Sequence, residues 1–410
     1  MASKLPAAPA YPHPRPDPVA LDRAGRVFAA TRTALAAWFS TAARDLPWRR
    51  AYRPGSGDLA LSAVPRRFPY ASWIAEIMLQ QTQVAAALPH YERWMRRFPD
   101  VRTLAAADEE DVLRAWAGLG YYARARNLHR GAKALAAAGT WPVHPAEWER
   151  IPGVGPYTAG ALASLVFGVR APLLDGNAIR VFSRVLGLGF LPAAGAREKA
   201  FYWEAARRFA DAEDPGTQNE ALMELGARVC VPSSPRCGEC PLAPGCAARR
   251  RGWQESLPPP RARPRPQART LVAVVLRRAG CVRMETREAG FLSGHQMFPL
   301  LETDAVEPWL RAAGVEDPGA VRAAGTLRHT IMHVRYEVHV RVADASAPPA
   351  RGAASGLADG QQVREEDVEG RLSNALARKV WALARAAPPL DPGQGARGAA
   401  QQRKPRARLE

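Results

Sequence analysis

The stretch Ile151–Gly168, IPGVGPYTAGALASLVFG, combines a helix end, a tight Pro-Gly-Val-Gly turn and the start of a new helix. Glycines at 153 and 155 let the backbone come close to a phosphate, and the helix that follows offers unpaired N–H groups and its positive dipole end. Gly153, Val154 and Gly155 are therefore candidate phosphate contacts. Alone, the turn equally suits an ordinary connection between two packed helices. Around it, from about Leu21 to Gly245, apolar residues recur at three- and four-residue spacing, broken by Pro-Gly turns and without a convincing alternating strand. This part of the chain reads as all-α.

Eighteen residues past Tyr157, LLDGNAIRVFSRVLG sets Asp175 just ahead of another helix. A routine N-cap aspartate is the plain reading. Upstream, YASWIAEIMLQQTQV, Tyr70–Val84, is a helix in which Glu76, Gln80 and Gln83 share a face bordered by Trp73 and Ile77. Partial burial raises a glutamate's pKa, which suits a general acid working near neutral pH. Pairing with a structural arginine is the competing reading.

Four cysteines, Cys230, Cys237, Cys240 and Cys246, crowd into CVPSSPRCGECPLAPGC with six, two and five residues between them. One short loop can wrap four thiolates around one iron-sulfur cubane. A four-cysteine zinc site more often shows two CxxC knuckles, and only one is present here. The odd count of five cysteines argues against a disulfide framework and for a reducing compartment. Cys281 reads as a small buried residue in strand-like sequence.

The 410 residues carry 57 Lys and Arg against 39 Asp and Glu, a formal net charge of +18, and only five of the basic residues are lysine. That balance points to a polyanionic partner, although an Ala- and Arg-rich coding bias would also produce it. No apolar run of about 18 residues suggests a membrane span, and MASKLPAAPAYPHPRPDP lacks a signal peptide's apolar core. The expectation is a soluble, cytoplasmic, monomeric protein with such a polyanionic partner and no membrane partner.

The expected organisation is a disordered Pro-rich arm over 1–20 and a helical domain over 21–246, with its hairpin-bearing lobe at 70–168 and its cysteine loop at 228–246. A basic Pro-rich linker follows at 247–269, then an α+β domain at 270–387 and a disordered basic tail at 388–410. Residues 53–68 read as a surface insertion. In the second domain TLVAVVL and VRYEVHVRV read as strands and SNALARKVWALARA as a closing helix.

Hairpin, downstream aspartate and four-cysteine loop, in this order, resemble the helix-hairpin-helix, Gly-Pro-Asp superfamily of DNA glycosylases. The runs EIMLQQTQV, from Glu76, and GLGYYARARNL, from Gly118, closely resemble the MutY-type adenine mismatch glycosylases within it. The resemblance implies a helix-hairpin-helix glycosylase domain with a 4Fe-4S cluster on Cys230, Cys237, Cys240 and Cys246. The implied partner is duplex DNA containing adenine opposite 8-oxoguanine or guanine. Excision requires the base to leave the stack. By analogy Gln81, Leu119 and Tyr121 fill the gap as wedges, while Arg124 and Arg126 hold phosphates. Glu76 then protonates adenine N7 and Asp175 stabilises the sugar cation. Tyr157 and Asn177 orient these two groups, Glu220 contacts adenine, and Trp48 and Arg49 line the pocket entrance. Where bifunctional relatives resembling endonuclease III carry a Schiff-base lysine this chain has Tyr157, which implies a monofunctional enzyme. Thymine or uracil opposite guanine, or a non-catalytic DNA-binding role, are the alternatives.

The same resemblance implies a Nudix-like second domain that reads the lesion. Here the match departs from the family: Ile331, Met332 and His333 stand where Phe-Ser-His is usual, and GFLSGHQMFPL lacks the family's tryptophan. A thioether is a weak acceptor and no donor, so lesion reading would fall to backbone groups or to His333.

Overall fold

The computed structural model describes residues 11–13, 15–51, 59–260, 267–287, 292, 295–315, 321–331, 334–345, 360–372 and 374–387. The chain divides into two compact units, Met1–Ala262 and Arg263–Glu410.

The described residues of the first unit are helical. In order they form α1 (Pro18–Ala42), α2 (Pro69–Leu79), α3 (Val84–Arg97), α4 (Val101–Ala106), α5 (Glu109–Ala115) and α6 (Ala123–Ala138). Then come α7 (Pro145–Trp148), α8 (Pro156–Phe167), α9 (Gly176–Leu186), α10 (Ala196–Ala210), α11 (Pro215–Arg228) and α12 (Ala247–Arg251). Proline at the first helical position pre-sets φ for α1, α2, α7, α8 and α11, where its missing N–H costs nothing. Asp17, Asp100, Asp175 and Asp214 cap α1, α4, α9 and α11 through their carboxylates.

Two cores form, and α8 belongs to both. Trp73, Trp94, Trp116, Trp148 and Leu162 pack one core among α2–α8. Phe28, Leu35, Phe182, Phe209 and Leu225 pack the other among α1 and α9–α12. Along α8, Ala159, Leu162, Ala163 and Val166 face the first core while Ala161 and Leu165 face the second, which is why its sequence is apolar nearly all round. This shared helix sets the two lobes, and therefore α2 and α9, at a defined separation. Gly160 makes the packing possible, because a Cβ there would sit 1.9 Å from the carbonyl oxygen of Pro172.

Three boundaries differ from expectation. Tyr11 is packed edge-on against Trp253 at 5.4 Å and His13 bridges to Leu188, so the N-terminal arm is anchored from residue 11. Beyond Ala247 the chain coils as α12 and then buries Leu257, whose carbonyl accepts from Arg184; the linker expected at 247–269 is thus part of the first unit up to residue 260. A few apolar anchors among many arginines were enough to dock it. The stretch expected to be a surface insertion is tied down over residues 59–68, with Ala60 bridging Thr140 and the Arg66 N–H donating to Val166 O.

The described residues of the second unit form an α+β domain. Its elements are β1 (Gln267–Arg278), β2 (Cys281–Thr286), β3 (Gln296–Met297), β4 (Leu300–Leu301), α13 (Val306–Ala312), β5 (Arg322–Ile331), β6 (Val334–Asp344), β7 (Gln361–Arg364), α14 (Val368–Arg371) and α15 (Ala375–Ala386). Strand order is β3-β2-β1-β6-β5, with β1 and β6 parallel, β4 beside β1 and β7 beside β2. The run LVAVVL is continuously apolar because both faces of β1 are covered. Leu271, Ala273 and Val275 pack toward Trp381 of α15, and Val272, Val274 and Leu276 toward Leu310 of α13. Cys281 is half-buried in β2. Met332 and His333 lie outside the described residues, as do 1–10, 52–58 and 388–410.

Because the clash at Gly160 is with backbone, it cannot be relieved by a rotamer change. Gly160→Ala is expected to lower unfolding stability by about 3 kcal/mol, the upper range for overpacking, read as a drop in thermal midpoint. An unchanged midpoint would show that α8 does not hold the lobes as described.

Candidate active site

A cavity of about 610 Å³ opens in the first unit, lined from α2, α8, α9 and α11. Glu76 of α2, Tyr157 of α8 and Asp175 at the head of α9 all line it, although they are up to 99 residues apart in sequence. Glu76 is only 8% exposed. Its Oε2 accepts a hydrogen bond of 3.1 Å from the Tyr157 hydroxyl, which also lies 3.3 Å from the Met223 thioether. Burial is the main influence on this carboxyl, and the charges of Glu220 and Asp175 add to it; together they push its pKa up to about 7 against the Tyr157 bond and Arg67, which act the other way. Burial, reinforced by Glu76 and Asp175, also holds the Tyr157 phenol well above its usual value, so it stays a donor.

Asp175 is held differently. Its Oδ1 accepts from the Ala178 N–H at 2.6 Å and its Oδ2 from the Asn177 amide at 3.0 Å. Burial raises its pKa, opposed by those hydrogen bonds and by Arg180. It also stands at the positive end of α9. The two carboxyls therefore differ in character: Glu76 is biased toward the acid, while Asp175 has donors that reward the anion.

Glu220 does not stand free to meet a ligand. Its Oε1 accepts from Arg49 Nε at 2.7 Å and Arg67 Nη1 at 2.8 Å, and Oε2 from Arg67 Nη2. Arg49 also donates to Glu224 at 2.8 Å, and Arg44 grips Glu224 with two bonds of 2.7 and 2.9 Å. Burial pulls Glu224 up in pKa, and Arg44 and Arg49 outweigh it, so the carboxyl sits below its usual value. In a buried lattice of this kind the removal of one partner costs about 3–5 kcal/mol, whereas exposed pairs such as Arg114–Glu110 are worth about 1 kcal/mol or less. Nothing in the local sequence marks Arg44, Arg67, Glu224 and Met223 as cavity residues. With so many arginines in the chain, no single one stands out by type, and their pairing depends on a contact 153 to 180 residues away.

The DNA-facing candidates divide. Gln81 and Tyr121 are exposed and hold left-handed backbones, φ 58° and 48°. Leu119, expected as a wedge, is instead buried in the first core. Arg124, expected on a phosphate, is turned inward: it donates to the carbonyls of Ile77 and Met78 at 3.1 Å, of Gln80, and of Leu119 at 3.0 Å. Local sequence cannot reveal this, since the carbonyls it meets end a helix 44 residues earlier. Arg126 pairs with Glu109 at 3.3 Å. Gly153, at φ 83°, and Gly155 lie exposed at the hairpin, whereas Val154 is buried with its N–H donating to Ile151 O. Trp48, like Arg49, lines the cavity, as expected of the pocket entrance, and packs edge-on to Tyr91 at 5.0 Å.

Below α9 the four cysteines line one small apolar pocket with Val181, Val185 and Leu225. Among the described residues no group of three or more His, Cys, Asp or Glu is gathered as a site for a metal ion. Arg184 ties the pocket to α9, donating to Val231 O at 2.7 Å and Pro232 O at 2.9 Å and approaching Cys230 Sγ at 3.4 Å. Arg180 joins Asn177 Oδ1 to Cys230 O, each at 2.7 Å. No helix among the described residues is long and apolar enough to cross a membrane.

Residues 74–204 match the HhH-GPD superfamily of base excision DNA repair proteins. The chain is 39% identical over 269 residues to the adenine DNA glycosylase of Homo sapiens, which covers 63% of this chain and 48% of that protein. It is 41% identical over 231 residues to that of Rattus norvegicus, 56% of this chain and 43% of that protein. The chain thus spans about half the length of these curated relatives. Among solved structures, a thermostable thymine-DNA glycosylase overlaps 57% of this chain and 99% of its own at a TM-score of 0.46 and 25% identity. Hairpin, capped aspartate and buried glutamate occur in the order of the sequence motifs; residues 74–204 match the HhH-GPD superfamily of base excision DNA repair proteins, and the chain is similar to adenine DNA glycosylases over about half of their length.

Proposed function

We propose that the chain is a monofunctional DNA glycosylase that excises adenine mispaired with 8-oxoguanine or guanine in duplex DNA. The observation that carries this reading is the pair of unlike carboxyls, Glu76 and Asp175, lining one cavity with a phenol between α2 and α9. In this reading a flipped adenine enters the cavity and Glu76 gives its proton to N7. The electrons of the N-glycosidic bond move onto the protonated base, which leaves. The cationic sugar carbon is stabilised by the Asp175 carboxylate until water adds and loses a proton. Asn177 and the Ala178 N–H keep that carboxylate in place, and Tyr157 fixes the face of Glu76. A phenol forms no imine, so the reaction ends at an abasic site with the strand intact.

Four thiols around one pocket are a donor set that fits a 4Fe-4S cluster on Cys230, Cys237, Cys240 and Cys246. Such a cluster supplies a structural crosslink, with α9 hung from the loop through Arg180 and Arg184. We assign the second unit to a Nudix-like lesion-reading role on the resemblance of its sequence, with duplex DNA as the partner of the whole chain and the cytoplasm as its compartment.

Single-turnover release of adenine from duplexes pairing it with 8-oxoguanine, guanine or cytosine tests the reading. Release opposite the first two is expected; thymine or uracil release instead would replace it. Asp175→Asn should keep duplex affinity and lose excision by roughly a thousandfold, about 4 kcal/mol of transition-state stabilisation. Tyr157→Lys is expected to add borohydride-trappable strand cleavage, and failure to trap an adduct would move that side chain away from the sugar.

Glu76 must be protonated to act, so the rate should be flat below about pH 7 and fall about tenfold per unit above it. The same shift bears on stability. Raised in the folded state, the group contributes stability that is complete below about pH 4.5 and lost as pH rises through about 7. Glu76→Gln should therefore abolish excision yet gain thermal stability over the parent as pH rises from 5 to 8, by up to about 3 kcal/mol. A pH-independent difference would place the perturbed group elsewhere.

A further inference from the structure

Two surface loops in the first unit hold residues in backbone conformations that side chains resist. Gln81, just past α2, has φ 58°, and Tyr121, just before α6, has φ 48°; both are exposed, Tyr121 at 51%. Left-handed conformations cost non-glycine residues about 1 kcal/mol or more and persist only when their surroundings impose them. One side chain touches both loops. Arg124 Nη1 donates to Ile77 O and Met78 O at 3.1 Å and to Gln80 O, three carbonyls at the open end of α2. Its Nη2 donates to Leu119 O at 3.0 Å and Gly120 O at 3.3 Å. The guanidinium is sandwiched as well, 5.2 Å from the Trp116 ring centroid and 5.5 Å from that of Tyr121. Trp116 completes the loop by donating its indole N–H to Gly120 O at 3.0 Å.

We propose that Arg124 is a positioning residue that braces the Gln81 and Tyr121 loops against each other, fixing the two exposed side chains at the spacing from which they enter the DNA stack. The inference rests on the adenine-excision reading for what the loops enter, though not for the brace itself. A guanidinium suits this task and an ammonium does not. Five carbonyls, three at the end of α2 and two in the Tyr121 loop, call for a planar fork whose two ends point apart, whereas lysine offers one compact nitrogen. Ordering both loops before DNA arrives removes an entropic cost from base extrusion, so the effect of losing the brace falls on flipping and excision and leaves the long-range attraction to phosphates in place. A phosphate-binding arginine would behave in the opposite way, tolerating lysine and contributing to counterion release.

The test uses the full-length holoprotein carrying Arg124→Lys or Arg124→Gln. Three quantities are read: the salt dependence of binding to an unmodified duplex, fluorescence of 2-aminopurine replacing the target adenine, and single-turnover adenine release. Both variants should slow release roughly tenfold or more and reduce the extrusion signal, with the slope of log affinity against log salt unchanged. In a Tyr121→Ala background the added loss from Arg124→Lys should shrink, because the ring to be positioned is gone. Full activity of Arg124→Lys, a salt slope lowered by about one unit in Arg124→Gln, or strictly additive effects would each overturn the proposal. If the variants fail to fold, the parent chain still decides it: the Arg124 Nη protons should resonate separately, slowed in rotation, without DNA. A single averaged signal that splits only on DNA addition would refute the brace. A parent chain that shows these signals yet releases no adenine would sink the excision reading and leave the brace standing.

Discussion

Removing Glu76 from water is the constraint on which the rest of the first unit turns. A carboxyl that is 8% exposed at a cavity wall must be paired, neutral or both, and here its partner is a phenol, with no cation bonded to it among the described residues. Four arginines line the same cavity, but Glu220 and Glu224 engage Arg44, Arg49 and Arg67 in a lattice of their own, and Arg180 is bonded to Asn177 and to Cys230 O. The charges needed to shape the wall are thus neutralised locally, and the proton on Glu76 is held near neutral pH by burial. Two lobes that share α8 produce this arrangement, since α2 belongs to one core and α9 to the other, and the cleft between them is where Glu76 and Asp175 meet.

α9 gathers much of the site's polar machinery onto one helix. Asp175 caps its start, Asn177 supports the cap, Arg180 ties Asn177 to the cysteine loop, and Arg184 secures that loop to Leu257. The spacing of Asn177, Arg180 and Arg184, three and four residues, aligns them along one face of the helix. Gly226 of α11 is required next to this face, because a Cβ there would lie 2.6 Å from Asn177 Cβ. Whatever holds the four thiols therefore also fixes the position of the Asp175 carboxylate.

A polar side chain's type did not disclose its employment. Arg124 and Arg126 look alike in ARARNL, yet one is spent inside the protein on backbone carbonyls and the other on a surface glutamate. Leu119 and Tyr121 are two residues apart and go opposite ways, one into the core and the other to the surface, because the left-handed turn at Gly120 and Tyr121 reverses the chain between them. The second unit shows the simpler case: the centre of β1, Leu271–Leu276, is continuously apolar because helices cover both of its faces, and β6 alternates where only its α15-facing residues are deeply packed.

Legible in the residues alone are the helical character of the first unit, the hairpin, the capped Asp175, the candidate acid Glu76 and the strands β1 and β6. Each rests on information local to a few turns of chain: periodicity, Pro and Gly at turns, and a cap residue before a helix. The sequence also carried the motif order by which the family is recognised. Which arginines face the cavity, the bonding of Glu220 to two of them, the inward turn of Arg124 and the docking of residues 247–260 onto the first unit emerge from the packed fold alone. Those outcomes depend on which distant carbonyl or carboxylate lies within reach of a long side chain, and reach is set by packing between lobes, a quantity that no short window of residues contains.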